Sequence, residues 1–190
     1  WDGGHPRVTH QEYDGIGGND RVTIEDAAAE GGVQLSYHAA HVTGTIVASG
    51  MVPNAKGMAS QSRAKNYKWN NDLAEATSAA SNGMLISNHS YGFNSQYVPD
   101  YYFGGYIDES KDWDNLQYNA PYYLMVVAAG NDGTANVNGS PLSSANPQYD
   151  KLTGHSTAKN TMVVASAQDA NIDNNGNLVS VNISSFSSQG

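Results

Sequence analysis

None of the 190 residues is cysteine, so the chain can have neither a disulfide framework nor a thiolate metal site. The same absence leaves the redox compartment open. Charge is scarce and largely of one sign. Only 14% of residues are charged, and 9 Lys+Arg stand against 18 Asp+Glu, a formal net charge of -9. Such a surface repels phosphate backbones and anionic bilayers, which argues against nucleic acid and membrane as partners. No apolar run approaches the roughly 20 residues that a membrane-spanning helix needs, and the first residues lack the basic-then-apolar pattern of a signal segment. A soluble chain is expected, with any targeting segment outside it. Internal repeats and low-complexity linkers are also missing. What is present is one domain's length of chain with 20 Gly, 12 Tyr and many Asn, a polar but weakly charged composition that suits a secreted protein.

Apolar runs of strand length alternate with longer helix-like segments, the pattern of an α/β domain with a parallel sheet. Strands are expected over residues 62–69, 84–90, 122–129 and 161–167. The third is continuously apolar, as a central strand covered on both faces by helices would be. Helices are expected over 38–49, 72–81 and 107–118, with Ile107, Trp113 and Leu116 able to share a face. Near the end, Asn174-Asn175-Gly176-Asn177 reads as a hairpin turn between Ile172 and Leu178. Two Gly- and Asn-rich stretches, 15–20 and 131–147, are expected to form long surface loops, where binding sites often lie.

Three short stretches carry chemistry. His38-Ala39-Ala40-His41-Val42-Thr43-Gly44-Thr45-Ile46 puts two histidines at the mouth of a small-residue helix. A zinc pair is one reading, but the H-E-x-x-H pattern needs four-residue spacing and a glutamate, and neither occurs. In Trp1-Asp2-Gly3-Gly4 an aspartate precedes two glycines that let the backbone turn sharply; taken alone it is a turn residue. In Ala128-Ala129-Gly130-Asn131-Asp132-Gly133 a buried strand ends abruptly at Gly-Asn, which alone would also be an ordinary turn.

Together, and in this order, these stretches resemble the D-x-G, H-G-T-H-V-A-G and oxyanion-asparagine blocks of the subtilisin-like serine peptidases. Three further segments add to the resemblance: Ser87-Asn88-His89-Ser90-Tyr91-Gly92, Lys159 through Ala167, and the terminal Phe186-Ser187-Ser188-Gln189-Gly190. The resemblance implies that Asp2 orients His38, that His38 is the general base, and that Asn131 donates to the oxyanion. It implies a structural part for His41, on the helix's buried side, and a close approach of helix to sheet at Gly44. Ala39, Ala40 and Thr43 depart from the family pattern. Ser90, Tyr91 and Gly92 would bind substrate main chain and face Ala128, Ala129 and Gly130 across the first specificity pocket, with Tyr91 as a large apolar wall.

The G-T-S-x-A block that carries the serine nucleophile occurs nowhere in the 190 residues. The implied fold is a three-layer α/β fold, a parallel sheet flanked by helices, with its C-terminal part missing, so that residues 1–190 form a partial peptidase domain. The implied activity is endopeptidase cleavage of a protein or peptide, with serine supplied by the chain's own C-terminal continuation or by a complementing chain. The rival is a non-catalytic module that holds peptide in the same cleft; a glycan-binding domain is more distant. No cofactor is implied except calcium, which many relatives bind. Asp169, Asn171 and Asp173 alternate as in calcium loops but lack the EF-hand glycine and distal glutamate, and read as a polar hairpin. Ser49 to Lys56, where relatives can carry a calcium loop, offers few oxygen ligands, so no metal ligand is assigned.

Overall fold

The computed structural model describes residues 1–14, 21–135 and 150–190; the expected loop at 15–20, and 136–147 of the second loop, lie outside them. The chain forms two compact units, Trp1–Glu75 and Ala76–Gly190.

In the first unit a short helix α1 (Gln11–Asp14) precedes strand β1 (Val22–Ile24), helix α2 (Tyr37–Val47) and strand β2 (Ala64–Asn66). β1 and β2 pair in parallel, from Val22 opposite Ala64 to Ile24 opposite Asn66. A further parallel bridge joins Asp2 to Lys68. Tyr13, Val22 and Val47 form the apolar core, with Val8, Ile46 and Ala64 packed on it. The buried Arg21 guanidinium donates to the carbonyls of Glu12, Val47 and Ser62, tying α1, the end of α2 and the approach to β2 together. That charge is shared among three carbonyl dipoles, which is how an isolated buried guanidinium is tolerated.

Helix α2 begins where the Ser36 hydroxyl accepts the Ala39 N–H at 3.2 Å, the usual side-chain solution for an unpaired first-turn donor. Its inward face is Ala39, Thr43 and Val47, a four-residue spacing. This corrects two expectations. His41, three residues after His38, falls on the exposed side of the helix. An added Cβ at Gly44 would meet nothing within 4 Å, so that glycine does not mark a close approach. Helix α3 (Asp72–Ser81) follows as the sequence pattern predicts.

In the second unit β3 (Ile86–His89), β4 (Leu124–Ala128) and β5 (Met162–Val164) form a parallel sheet with β4 in the centre. Ile86 lies opposite Leu124, and Ala128 opposite Val164. Helix α4 (Asp108–Asn119) is fastened to it by polar side chains as well as by apolar burial. Gln117 Oε1 accepts the Met125 N–H, and the Asp114 carboxylate accepts the Lys159 and Asn160 amides ahead of β5. Trp113, Met125 and Val127 are almost wholly buried, each contributing about 1.5–3 kcal/mol of apolar transfer.

The architecture is α/β, parallel sheets flanked by helices, as expected. Along β4 Met125 and Val127 are buried and Leu124, Val126 and Ala128 half-buried, with Ile86, Met162 and Val164 beside them exposed. β6 (Asn171–Ile172) and β7 (Leu178–Ser180) make an antiparallel hairpin. Asp173 Oδ1 accepts the Asn175 and Asn177 amides in its turn, where Gly176 has φ 84°.

Candidate active site

Asp2 and His38 meet in the first unit. The Asp2 carboxylate is buried and lies 2.8 and 2.9 Å from His38 Nδ1 through its two oxygens. A carboxylate oxygen accepts, so Nδ1 donates to it, and in the neutral ring this tautomer leaves the Nε2 lone pair free to take a proton. The His38 side chain is 47% exposed, and Nε2 has no hydrogen-bond partner among the described residues. This arrangement is that of a base oriented by a carboxylate.

Backbone contacts hold the pair in place. Asp2 N–H donates to Tyr67 O, Trp69 N–H donates to Asp2 O, and Gly3 N–H donates to Asp2 Oδ1 at 2.7 Å. The backbone bends at Gly3 and Gly4 as expected, without positive φ at either, and the space beside them also calls for glycine. A Cβ on Gly4 would lie 2.6 Å from Gln34 O and 2.9 Å from Ser36 Cβ, and one on Gly3 would lie 2.9 Å from the Trp69 ring. The glycines let the aspartate segment lie against the residue that caps the histidine helix.

A second histidine–carboxylate pair, which sequence reasoning missed, braces this arrangement. His5 Nε2 lies 2.9 Å from Asp26 Oδ1, and His5 Nδ1 accepts the Gln34 N–H at 3.0 Å. Asp26 Oδ2 accepts the Lys68 amide. His5 is fully buried and both its nitrogens are occupied, so it cannot exchange a proton with a substrate. It fixes residues 34–36, which lead into α2. No local motif announces it, because its partner stands 21 residues away.

The loop after α2 closes on an anion. Glu12 accepts from the Ser49 hydroxyl and from the amides of Gly50, Met51 and Val52, at 2.7–3.2 Å. The Val52 amide above all, with those of Gly50 and Met51 and the Ser49 hydroxyl, holds the Glu12 carboxyl below its ordinary range against the opposing effect of burial. A loop that turns its N–H groups inward onto a carboxylate has the wrong polarity for a cation, so the residues of 49–56 do not fit the calcium that the resemblance allows. Among the described residues no group of three His, Asp or Glu side chains could hold a metal.

The remaining site residues lie in the second unit. Ser90, Tyr91 and Gly92 share a cavity of about 280 Å³ with Ala128, Ala129, Gly130 and Asn131; Asp132 and Lys151 also line it. Gly130 follows β4 with φ 107°, and a Cβ there would lie 2.8 Å from Ser188 Oγ, so this position requires glycine on both counts. Asn131 is exposed directly after it. The turn is clamped by the terminal serines: Ser188 N–H donates to Gly130 O, Asp132 N–H donates to Ser188 Oγ, and Ser187 Oγ accepts the Ser166 N–H. Both serines are at most 2% exposed. Tyr91 lines the cavity and carries polar partners as well. Its hydroxyl pairs with His89 Nδ1 at 2.7 Å, and its ring packs edge-on against His155.

A model of the subtilase family matches residues 12–190; the Asp2 segment lies ahead of the matched residues. No significant match to a curated protein or to a solved structure is found.

Proposed function

Because the chain belongs to the subtilase family, whose members are serine peptidases, we propose that the complete protein is a secreted endopeptidase using an Asp-His-Ser triad. Its nucleophile would be a serine outside these 190 residues. The Asp2–His38 pair, with an exposed His38 side chain whose Nε2 has no partner among the described residues, is the observation that carries this reading. The serine Oγ attacks the substrate carbonyl carbon while His38 Nε2 takes its proton. Asp2 keeps the ring in the Nδ1–H tautomer and offsets the positive charge that forms on it. The tetrahedral oxygen gains negative charge only on the reaction path, and the Asn131 side-chain N–H donates to it there, so the donor lowers the barrier more than it aids binding. His38 then returns the proton to the leaving amine, and water repeats the sequence on the acyl intermediate.

Two features support the peptide-binding part of the reading. The cavity shared by Ser90–Gly92 and Ala128–Gly130 is concave and half polar, and extended main chain at a sheet's end can accept a peptide by backbone pairing. The test is incubation of the complete protein with a denatured protein substrate. Internal cleavage that disappears in His38→Ala is expected. Tight peptide binding without cleavage would favour the non-catalytic module, which the missing G-T-S-x-A block makes the specific alternative.

A further inference from the structure

We infer that His155 is a positioning residue for peptide recognition, because it holds the Tyr91 carbonyl inward and so leaves the main chain of Ser90 and Gly92 as the groups that pair with substrate. The inference rests on the peptidase reading of the same cleft.

His155 stands on a one-turn 3₁₀ helix, Gly154–Thr157, and is 3% exposed. Its Nε2 lies 2.9 Å from Tyr91 O and its Nδ1 3.0 Å from Glu109 Oε1 on α4. A carbonyl only accepts, so Nε2 donates to Tyr91 O, and Glu109 pairs with the other ring nitrogen and fixes the ring's orientation. The turn is fixed in its own right: Ser110 Oγ donates to Gly154 O, and Thr153 N–H donates to Ser156 Oγ. Gly154 has φ 59°, and a Cβ there would lie 2.6 Å from the Phe93 ring, so the turn also seats the residue after Gly92.

The Tyr91 side chain is fixed as firmly as its carbonyl. Its hydroxyl pairs with His89 Nδ1, His89 Nε2 with Ser87 Oγ, and Ser87 Oγ with Tyr123 Oη, all at 2.6–2.7 Å. Burial drives His89 well below its ordinary titration range, and a neutral ring has one donor and one acceptor, as a continuous chain of hydroxyls on either side requires. Tyr91 is therefore anchored through both backbone and side chain to the interior of its unit. Ser90 and Gly92, on either side of this anchor, line the cavity, so the fixed Tyr91 sets where their main chain can meet a substrate.

The experiment compares two substrates of the complete enzyme: a peptide extending several residues on the acyl side of the scissile bond, and a single-residue chromogenic amide that cannot pair along the segment. For His155→Leu, KM for the extended peptide should rise about tenfold, roughly one hydrogen bond's worth, with kcat nearly unchanged and the short amide unaffected. His155→Gln should recover most of the loss, since its amide N–H can still donate to Tyr91 O. If His155→Leu does not fold, Glu109→Ala should show the same substrate-selective rise to a smaller degree, reversed by Glu109→Gln, whose amide can donate to Nδ1. An unchanged KM, or an equal loss for both substrates, overturns the inference. A wild type that cleaves neither substrate overturns the peptidase reading instead. Binding of the extended peptide to wild type and His155→Leu, followed by fluorescence polarisation, then decides the inference in the same sense.

Discussion

Three histidine–carboxylate pairs occur in the described residues, His38–Asp2, His5–Asp26 and His155–Glu109, and what separates them is the second ring nitrogen. In His38 it has no partner among the described residues; in His5 it accepts a backbone N–H; in His155 it donates to a carbonyl. Only the first can take a proton from a nucleophile, so His38→Ala in the complete protein should abolish turnover while leaving the fold intact. Asp2→Asn should lower kcat by about 10⁴, because the ring is then free to take the wrong tautomer. His5→Ala should do the reverse. It should cost about 3 kcal/mol of stability, the usual consequence of leaving a buried carboxylate without its partner, read from urea denaturation. Asn131→Ala should reduce kcat by about 10²–10³ with little change in KM, a magnitude borrowed from removal of the same kind of donor in a subtilisin. A change confined to KM would remove Asn131 from the oxyanion role. His41, exposed on α2, should tolerate alanine with an effect within about 0.5 kcal/mol.

At the scale of elements, the loop after α2 is held by Glu12. Because the folded-state carboxyl lies below its ordinary value of 4.5, its contribution is complete above that value and is lost as pH falls through the depressed one. The stability difference between wild type and Glu12→Gln, followed by denaturant midpoint, should therefore shrink on acidification below about pH 4. A difference that stays constant with pH would mean that the carboxylate charge is not what closes the loop. The helices α2 and α3 and the strands β3 to β5 were legible because apolar or small-residue runs mark them, and α4 because Trp113 and Leu116 share a buried face. By contrast, α1 and β1 are four and three residues long, too short to carry a period. The Asp2, His38 and Asn131 positions were legible as blocks. Their supports were not: His5–Asp26, Glu12 with residues 49–52, and His155–Tyr91 join residues far apart in sequence. The Tyr91 carbonyl is held by a partner 64 residues away, and the close packing of Gly3 and Gly4 on Trp69, Gln34 and Ser36 was not legible because those residues are not neighbours in the chain.

For the whole molecule, the first unit presents an oriented base and the second a peptide-sized cavity beside an exposed asparagine, while the serine block of the family is absent from all 190 residues. The buried Ser188 holds the Gly130 turn and the buried Ser187 accepts the Ser166 N–H, so both hydroxyls are engaged in structure. The most direct measurement is covalent labelling of the complete protein with a fluorophosphonate, followed by peptide mapping of the modified residue. The account predicts stoichiometric labelling of one serine outside residues 1–190, abolished by His38→Ala. Labelling of a serine within these residues, or labelling that survives His38→Ala, would contradict it.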